Sequence, residues 1–461
     1  MFHYKAGLSR TPHEAAEAFS KEIGSWVTTC HADAVDAPIT DVHDQGNYTT
    51  GWIPWLREHK DHPARAWLYQ YEAAIREHFE ANGSWKHGYW RMHEIYHGTQ
   101  HFGCFLTELW RLNPEVEPVT AVFLDAAEHL GNWNEDVPAW FNWDTGCFHS
   151  IYLGTDGAKE ADRYGLNVPD HLRLANMAIT AFQMGGGVCY LNLASAHGGV
   201  WADAILADDR IPAAVSKNGA HHELTRHQGI AYREFLGQAA SESDDFACAE
   251  NLLTCDAIQI FVKLWQFTRE KRFLSAAERI LDVLIYEIGD PDASALVAAV
   301  RYYRNHTGKA LYDVAVLHAV EPLFPYFIDS LDLDDTVRQA SRPKGIGKRS
   351  DIPGWRENGQ VRQHSPLLIG LAAEISGNDR LAACAMDLAR GYVVLARRAF
   401  ADGRDHSTSA RTVSAIARGH GRDNHAGMVT QVWVPLAERF CQGPAVKKKQ
   451  TRRPFPIGIT R

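Results

Sequence analysis

The sequence predicts a mainly α-helical protein arranged as a closed ring of helical hairpins. Beyond residue 60, apolar residues recur at the helical period while strand-like alternation is sparse and short. One unit recurs: an apolar helix ending in a bulky residue, a short polar or glycine turn, then a second helix that opens on an aromatic or leucine and continues through alanine. Five such units at uneven spacing, separated by loop-rich insertions, are too irregular for an open solenoid and suit a ring.

In chain order, the first hairpin runs through Phe105 to Trp110 and turns at Asn113-Pro114. The second has Phe182, a turn at Gly185 to Gly187, then Tyr190, Leu191, Ala194, Trp201 and Ile205. The third has Ile258, Phe261, Val262 and Trp265, a turn at Arg269 to Arg272, then Phe273, Leu274, Ala277, Ile280, Leu281 and Leu284. The fourth runs Val297 to Arg304 with a turn at Asn305 to Gly308, and the fifth Leu367 to Ile375 with a turn at Gly377-Asn378. Residues 1–60 read as an extension packing on the ring and 61–440 as the ring itself. Asp332 to Val361, dense in charge, Gly and Pro, reads as a long surface loop or lid. Residues 441–461 form a basic tail without periodicity, expected to be disordered or draped on the surface and assigned no catalytic role.

The turns Ser376 to Leu381 (SGNDRL) and Thr307 to Asp313 (TGKALYD), each leading into an alanine-rich helix, resemble those of the (α/α) toroid scaffold shared by many glycoside hydrolases, sugar epimerases and polysaccharide lyases. That resemblance implies an active cleft at one end of the barrel, where the loops between helices converge, with Gly131 to Thr155 as one such loop.

Composition narrows the function classes. A chain of 461 residues with 45% apolar content can bury a large core. A net charge of −9 and a pI near 6.2 argue against a generic nucleic-acid binder, so a basic site has to be local. No apolar run approaches a membrane span, and the first 30 residues lack the run of a signal peptide. The expectation is a soluble, cytoplasmic protein without a membrane partner, although a mature secreted form would show the same start. The eight cysteines are scattered without a CxxC pair, as reduced thiols are. Neither a GxGxxG nor a P-loop pattern is present, so no nucleotide cofactor is called for.

The densest chemistry lies in Gly131 to Thr155, GNWNEDVPAWFNWDTGCFHSIYLGT. Trp133, Trp140 and Trp143 offer stacking faces, Asn132, Asn134 and Asn142 offer two-way hydrogen bonding, and Glu135, Asp136, Asp144 and His149 can move protons. Stacking faces beside amides and carboxylates suit a sugar. Pro138 argues against one continuous helix, so part of the stretch should line a cleft; the alternative is a loop corner whose aromatics plug the core. Asn142 to Gly146 (NWDTG) resembles the Asn-Trp-rich segment of toroid lyases acting on uronate polysaccharides, without its second adjacent tryptophan or its following Glu-Ile-Gly. The resemblance implies that Asn142 holds a substrate carboxylate while Trp140 and Trp143 stack on sugars; Asp144 beside them is a further candidate for substrate binding. Tyr152 stands close to His149, and His197-Gly198-Gly199 interrupts a helical pattern where glycines are costly, either at a site or at a plain helix bend.

Three other clusters are candidates. His93-Glu94-Ile95-Tyr96-His97 is a formal HExxH, followed by His101; on a helix the three histidines would share one face, and two would suit a metal with Glu94 as base. The HExxHxxGxxH continuation of metzincins is absent, and the preferred expectation is that His97 and His101 line a sugar cleft. Arg411 to His425 concentrates Arg418, His420, Arg422 and His425 around glycines ahead of an apolar helix, a local anion site or a solvated turn. Gly219 to Gly229 holds His221, His222, Glu223 and His227 without recognised ligand spacing.

These readings converge on a polysaccharide lyase cleaving a uronate-containing glycan by β-elimination. Asn142 with Arg418 or Arg422 would neutralise the carboxylate, His149 or His197 would be the base and Tyr152 the acid. The alternatives are a glycoside hydrolase with carboxylates drawn from Glu94, Glu135, Asp136 and Asp144, and a non-catalytic glycan-binding or scaffold protein. The partner expected is an acidic oligo- or polysaccharide and not nucleic acid. No cofactor is required, a divalent zinc or calcium ion is an option, and the sequence sets no oligomeric state.

Overall fold

Local sequence sets where the first helix begins. Thr11 accepts the Glu14 N–H at 3.2 Å while the Glu14 carboxylate accepts the Thr11 N–H, a capping box closed by Pro12 at the first turn. The helix it starts, α1 (Pro12–Val35), buries Phe19, Ile23 and Trp26 along one stripe. A computed structural model describes residues 2–41, 45–159, 164–236, 244–289, 294–321, 330–335 and 366–399.

After a strand β1 (Phe2–Gly7) and α1 come α2 (Ile53–Glu58) and α3 (Ala64–Ala81), a tight hairpin of β2 (Trp85–Lys86) and β3 (Tyr89–Trp90), and β4 (His93–Glu94). Next are α4 (Ile95–Gln100), a π-helical turn over His101–Leu106, α5 (Thr107–Leu112) and α6 (Glu117–Ala127). Four short strands follow: β5 (Phe141–Asn142), β6 (Cys147–Phe148), β7 (Tyr152–Gly154) and β8 (Gly157–Ala158). Then come α7 (Leu172–Gln183), α8 (Val188–Ala207), β9 (Ala214–Val215), β10 (His221–His222), α9 (Arg226–Leu236) and α10 (Asp245–Thr254). The rest comprises α11 (Ala257–Thr268), α12 (Lys271–Leu284), α13 (Ser294–Thr307), α14 (Asp313–Val320), β11 (Ser330–Asp335), α15 (Pro366–Ser376) and α16 (Asp379–Ala399).

The chain is mainly α-helical, and the five turns read from the sequence join α5 to α6, α7 to α8, α11 to α12, α13 to α14 and α15 to α16. Helices α7, α11, α13 and α15 pack side by side in that order, and α8 packs on both α7 and α12. The packing continues from α15 to α16, α1, α2, α5 and α6, and from α6 back to α7. Burial explains the two layers. Helix α11 buries Ile258, Ile260, Phe261, Val262 and Leu264, apolar on nearly all sides, whereas α12 buries one stripe from Phe273 to Leu284 and leaves Lys271 and Asp282 outward.

The sheets are small. Strand β1 pairs antiparallel with β11, so Asp332 to Asp335, expected in a loop, belong to a strand. Strand β4 pairs with β7 and β7 with β8, which sets Glu94 directly opposite Tyr152. The rest of Asp332 to Val361 and the tail 441–461 lie outside the described residues.

Two buried or half-buried asparagines hold the Gly131 to Thr155 stretch in place. Asn132, in the left-handed region at φ 61°, accepts the N–H groups of Trp140 and Phe141 at 2.8 and 3.1 Å and donates to the Phe141 carbonyl. Asn167, fully buried, accepts the Phe148 N–H and donates to the Phe148 carbonyl, both at 2.9 Å. Removing that carboxamide orphans two buried backbone groups at about 1–3 kcal/mol each. Asn167→Ala is therefore expected to lose about 2–4 kcal/mol, read as a lower urea midpoint with unchanged slope.

Candidate functional site

The site begins with a tight connection. Helix α10 ends at Thr254 and α11 starts at Ala257, and Asp256 between them takes the left-handed conformation at φ 61°, which a short polar residue tolerates. Arg173 of α7 braces this turn: its Nη2 donates to the Thr254 carbonyl at 3.2 Å and its Nε to Asp170 at 3.1 Å, while the Cys255 thiol also points to Asp170 at 3.1 Å.

Around Asp256 stand groups from four helices. Helix α5 supplies Glu108 and Arg111, in contact as an i,i+3 pair, and α7 supplies Arg173 and Asn176 at the same spacing. Helix α11 supplies Lys263, and α13 supplies Tyr302 and His306, stacked with centroids 4.0 Å apart. Lys263 Nζ donates to Asn176 Oδ1 at 2.8 Å. Burial lowers the lysine pKa to about 7, and Arg111 lowers it further against the opposing pull of Asp256 and Glu108. For Arg111 and Arg173 burial also works against the charge, but Glu108 at the first, and the Cys255, Asp170 and Asp256 acids at the second, outweigh it and raise both pKa values. Arg111 nonetheless keeps 41% of its side chain accessible. The Arg111 guanidinium is thus paired with a carboxylate and still reachable from solvent.

The second half of the site abuts the first. The Arg173 guanidinium lies 5.0 Å from the Tyr96 ring, and Tyr96 packs edge-on against His97. Glu94 lies between His93 and His97 and contacts Nδ1 of each. Its cross-strand neighbour Tyr152 packs on Tyr164 with the Lys159 ammonium 4.8 Å from both rings. Burial holds the His93 pKa below its ordinary value, which favours a neutral imidazole near pH 7. Glu94, His93 and His97 place one ligand atom each within 4.8 Å of one another, so a metal-binding geometry is available there. Two imidazoles and a carboxylate suit a zinc-like ion better than calcium, which prefers oxygen ligands throughout.

Several expected roles change. The HExxH motif is not one helical face, because His93 and Glu94 are in strand β4 and helix starts only at Ile95. His101 leaves the cleft: the π-helical turn begins there, and the ring is buried against Trp85 with Nε2 3.3 Å from Glu72. His197 is not an accessible base. It is fully buried, its Nδ1 donates to the Gly146 carbonyl at 2.9 Å, and burial lowers its pKa to about 3. Trp140 offers no stacking face, being buried edge-on against Tyr89 with its indole N–H donated to Gly154.

Asn142 turns its carboxamide to the Asp144 N–H of its own hairpin, and Asp144 is exposed. His149 is exposed, and its backbone N–H donates to the Trp140 carbonyl at 2.9 Å. Trp143 stays accessible and pairs with exposed Trp133, centroids 5.9 Å apart. Of the expected residues, His97 and Tyr152 join the cleft. Glu223 of the 219–229 cluster pairs with Arg210 and His222 with Gln228. Arg418, His420, Arg422 and His425 lie outside the described residues.

Asp256, Arg173, Arg111 and Lys263 were not singled out from the sequence. A signal existed for Lys263: it interrupts the apolar run Ile258 to Trp265 on a side that buries Ile260 and Leu264. Asp170 and Arg173, at i,i+3 beside Pro169, were a weaker one.

The fold and site define a mainly helical protein with a cluster of charged, imidazole and phenol side chains where its helices and the β4–β7 pair meet. No family model matches the chain, and no curated protein does. Among solved structures, a cellobiose 2-epimerase from Bacillus thermoamylovorans B4167 aligns over 57% of this chain and 87% of its own at 12% identity. The TM-score of 0.31 is too low for that likeness to carry any argument.

Lys263 makes the site testable through stability. With its pKa about 7 in the fold and about 10.4 in the unfolded chain, the unfolded state holds the extra proton between those values, so stability rises with pH across that window. Lys263→Met lacks this rise. Urea unfolding at pH 6.5 and 9 should show the wild type improving relative to the variant by about 2 kcal/mol.

Proposed function

We propose that the chain is a carbohydrate-active enzyme that cleaves a uronate-containing glycan by β-elimination in the cleft between Asp256 and Glu94. The observation that carries this reading is the solvent-accessible Arg111 guanidinium, paired with Glu108 and sharing the charge of Asp256 with Arg173, in a cluster that reaches imidazole and phenol groups through Tyr96. Elimination requires the uronate carboxylate to be neutralised so that its C5 proton becomes acidic, and forked cations do this best. In this reading Arg111 and Arg173 take the carboxylate, and His93, oriented by Glu94, accepts the C5 proton. The C5–H electrons form the C4=C5 double bond, the C4–O4 bond breaks, and Tyr152 protonates the departing O4. The exposed pair Trp133 and Trp143 supplies stacking surface for neighbouring sugars. These residues replace the Asn142, His149 and His197 set in the expected mechanism.

The experiment is ultraviolet absorbance of the products across a panel of uronate polysaccharides, since elimination leaves a conjugated double bond and hydrolysis does not. Arg111→Ala should lower kcat by about a hundredfold, the scale for removing one donor from a developing anion. His93→Gln and Tyr152→Phe should each lose turnover with KM changed little. A panel yielding no unsaturated product rejects the elimination.

The geometry of Glu94, His93 and His97 supports a second reading, metal-assisted hydrolysis of a glycan. Chelation separates the two. Activity that survives EDTA belongs to proton transfer by the side chains; reducing ends formed without unsaturation, abolished by EDTA and restored by zinc, belong to a metal.

A further inference from the structure

Away from the cleft, three chain segments meet at a cluster with the chemistry of a metal site. The β2–β3 hairpin turns through His87 and Gly88, both in the left-handed region at φ 55° and 76°. Two successive positive φ angles define the hairpin turn that asparagine and glycine normally fill, and a bulky ring there is uncommon. Gly88 has a packing reason, because a Cβ would fall 2.7 Å from the Phe102 ring. His87 has no packing reason of that kind, and its ring is held by polar contacts. Nδ1 lies 2.8 Å from Asp125 on the last turn of α6, and Nε2 lies 2.8 Å from Asp136 in the following loop.

The independent observation is His129. It follows α6, is 2% exposed, and neither of its ring nitrogens has a hydrogen-bond partner. Its ring lies 4.3 Å from that of His87, and its Nδ1 is 3.6 Å from the other Asp136 oxygen. A buried imidazole without a hydrogen-bond partner is costly, and this one faces a carboxylate that already holds a second imidazole.

We propose that His87 Nε2, His129 Nδ1 and an Asp136 oxygen bind a zinc-class divalent ion with a structural role. The three ligand atoms lie within 4.8 Å of one another, as a tetrahedral ion with bonds near 2.0–2.2 Å requires after a small closure. Asp125 on Nδ1 of His87 is the outer carboxylate that fixes a ligating histidine's tautomer and leaves Nε2 for the metal. Asp125 and Asp136 balance the charge of the ion. Lys86, half exposed and 3.0 Å from the Asp136 carboxylate, opposes it. Metal binding would staple the hairpin, the end of α6 and the loop that leads into the Trp140 stretch.

The test is metal stoichiometry on the full chain, stripped with chelator and titrated with Co²⁺, whose visible spectrum reports imidazole ligation, and with Zn²⁺ by calorimetry. The wild type should bind one equivalent more than His87→Gln and Asp136→Asn, two replacements that keep the buried His129 itself in place. Zinc should also raise the melting temperature of the wild type by more than that of either variant. Because the readout is a difference between variants, any ion held by His93, Glu94 and His97 cancels, and the outcome does not depend on the reaction in the cleft. Equal stoichiometry and equal zinc-induced shifts in all three proteins would overturn the proposal and leave His87 as an imidazolium bridging two carboxylates.

Discussion

One carboxylate in one constrained turn organises the interior. Asp256 sits where the chain passes from α10 to α11 in two residues, with its backbone in the left-handed region. Three cations from three different helices, Arg111, Arg173 and Lys263, feel its charge. Charges brought out of water need partners, and those partners must be held in place rather than found by diffusion. Glu108 and Asp170 complete the compensation, each paired at i,i+3 with the arginine of its own or the adjoining turn. The helices packed around this point therefore meet on a polar floor, while the rest of their facing surfaces is apolar.

The Gly131 to Thr155 stretch shows how aromatic residues of one segment divide between two tasks. Trp140 and Phe141 are swallowed by the core, held by Asn132, while Trp133 and Trp143 remain at the surface as a pair. Tyr152 takes a third position, next to Glu94 across the β4–β7 pair. Gly131 permits this arrangement, since a Cβ there would fall 2.4 Å from the Trp133 indole. The strand pairing, rather than proximity along the chain, carries Tyr152 to the imidazoles.

The helical architecture was legible because burial imposes a period on every hairpin, and α12 carries its stripe from Phe273 to Leu284 openly in the sequence. The cleft was only partly legible. His97 and Tyr152 stood out by residue type, but Asp256, Arg111 and Arg173 are ordinary charges in the sequence, and they become a site only when four helices bring them to one level. His197 misled for the opposite reason: a histidine beside two glycines suggests chemistry, yet Gly198 and Gly199 are there for packing, a Cβ on the first falling 2.4 Å from Leu264 and on the second 2.9 Å from Arg272. The HExxH pattern failed because periodicity cannot reveal that a strand pair with β7 delays the helix until Ile95.

The π-helical turn over His101–Leu106 carries a consequence for how this chain tolerates change in length. A π turn accommodates one residue more than an α turn, so it works as a buffer between two frames of helical phase. The frame before it is set by β4 and aims His97 at the cleft; the frame after it is set by the core and aims Glu108 and Arg111 at Asp256. Excising a single residue from this turn would regularise the helix yet bring the two frames out of register by about 100°, so that one half of the charged cluster could be kept only by surrendering the other.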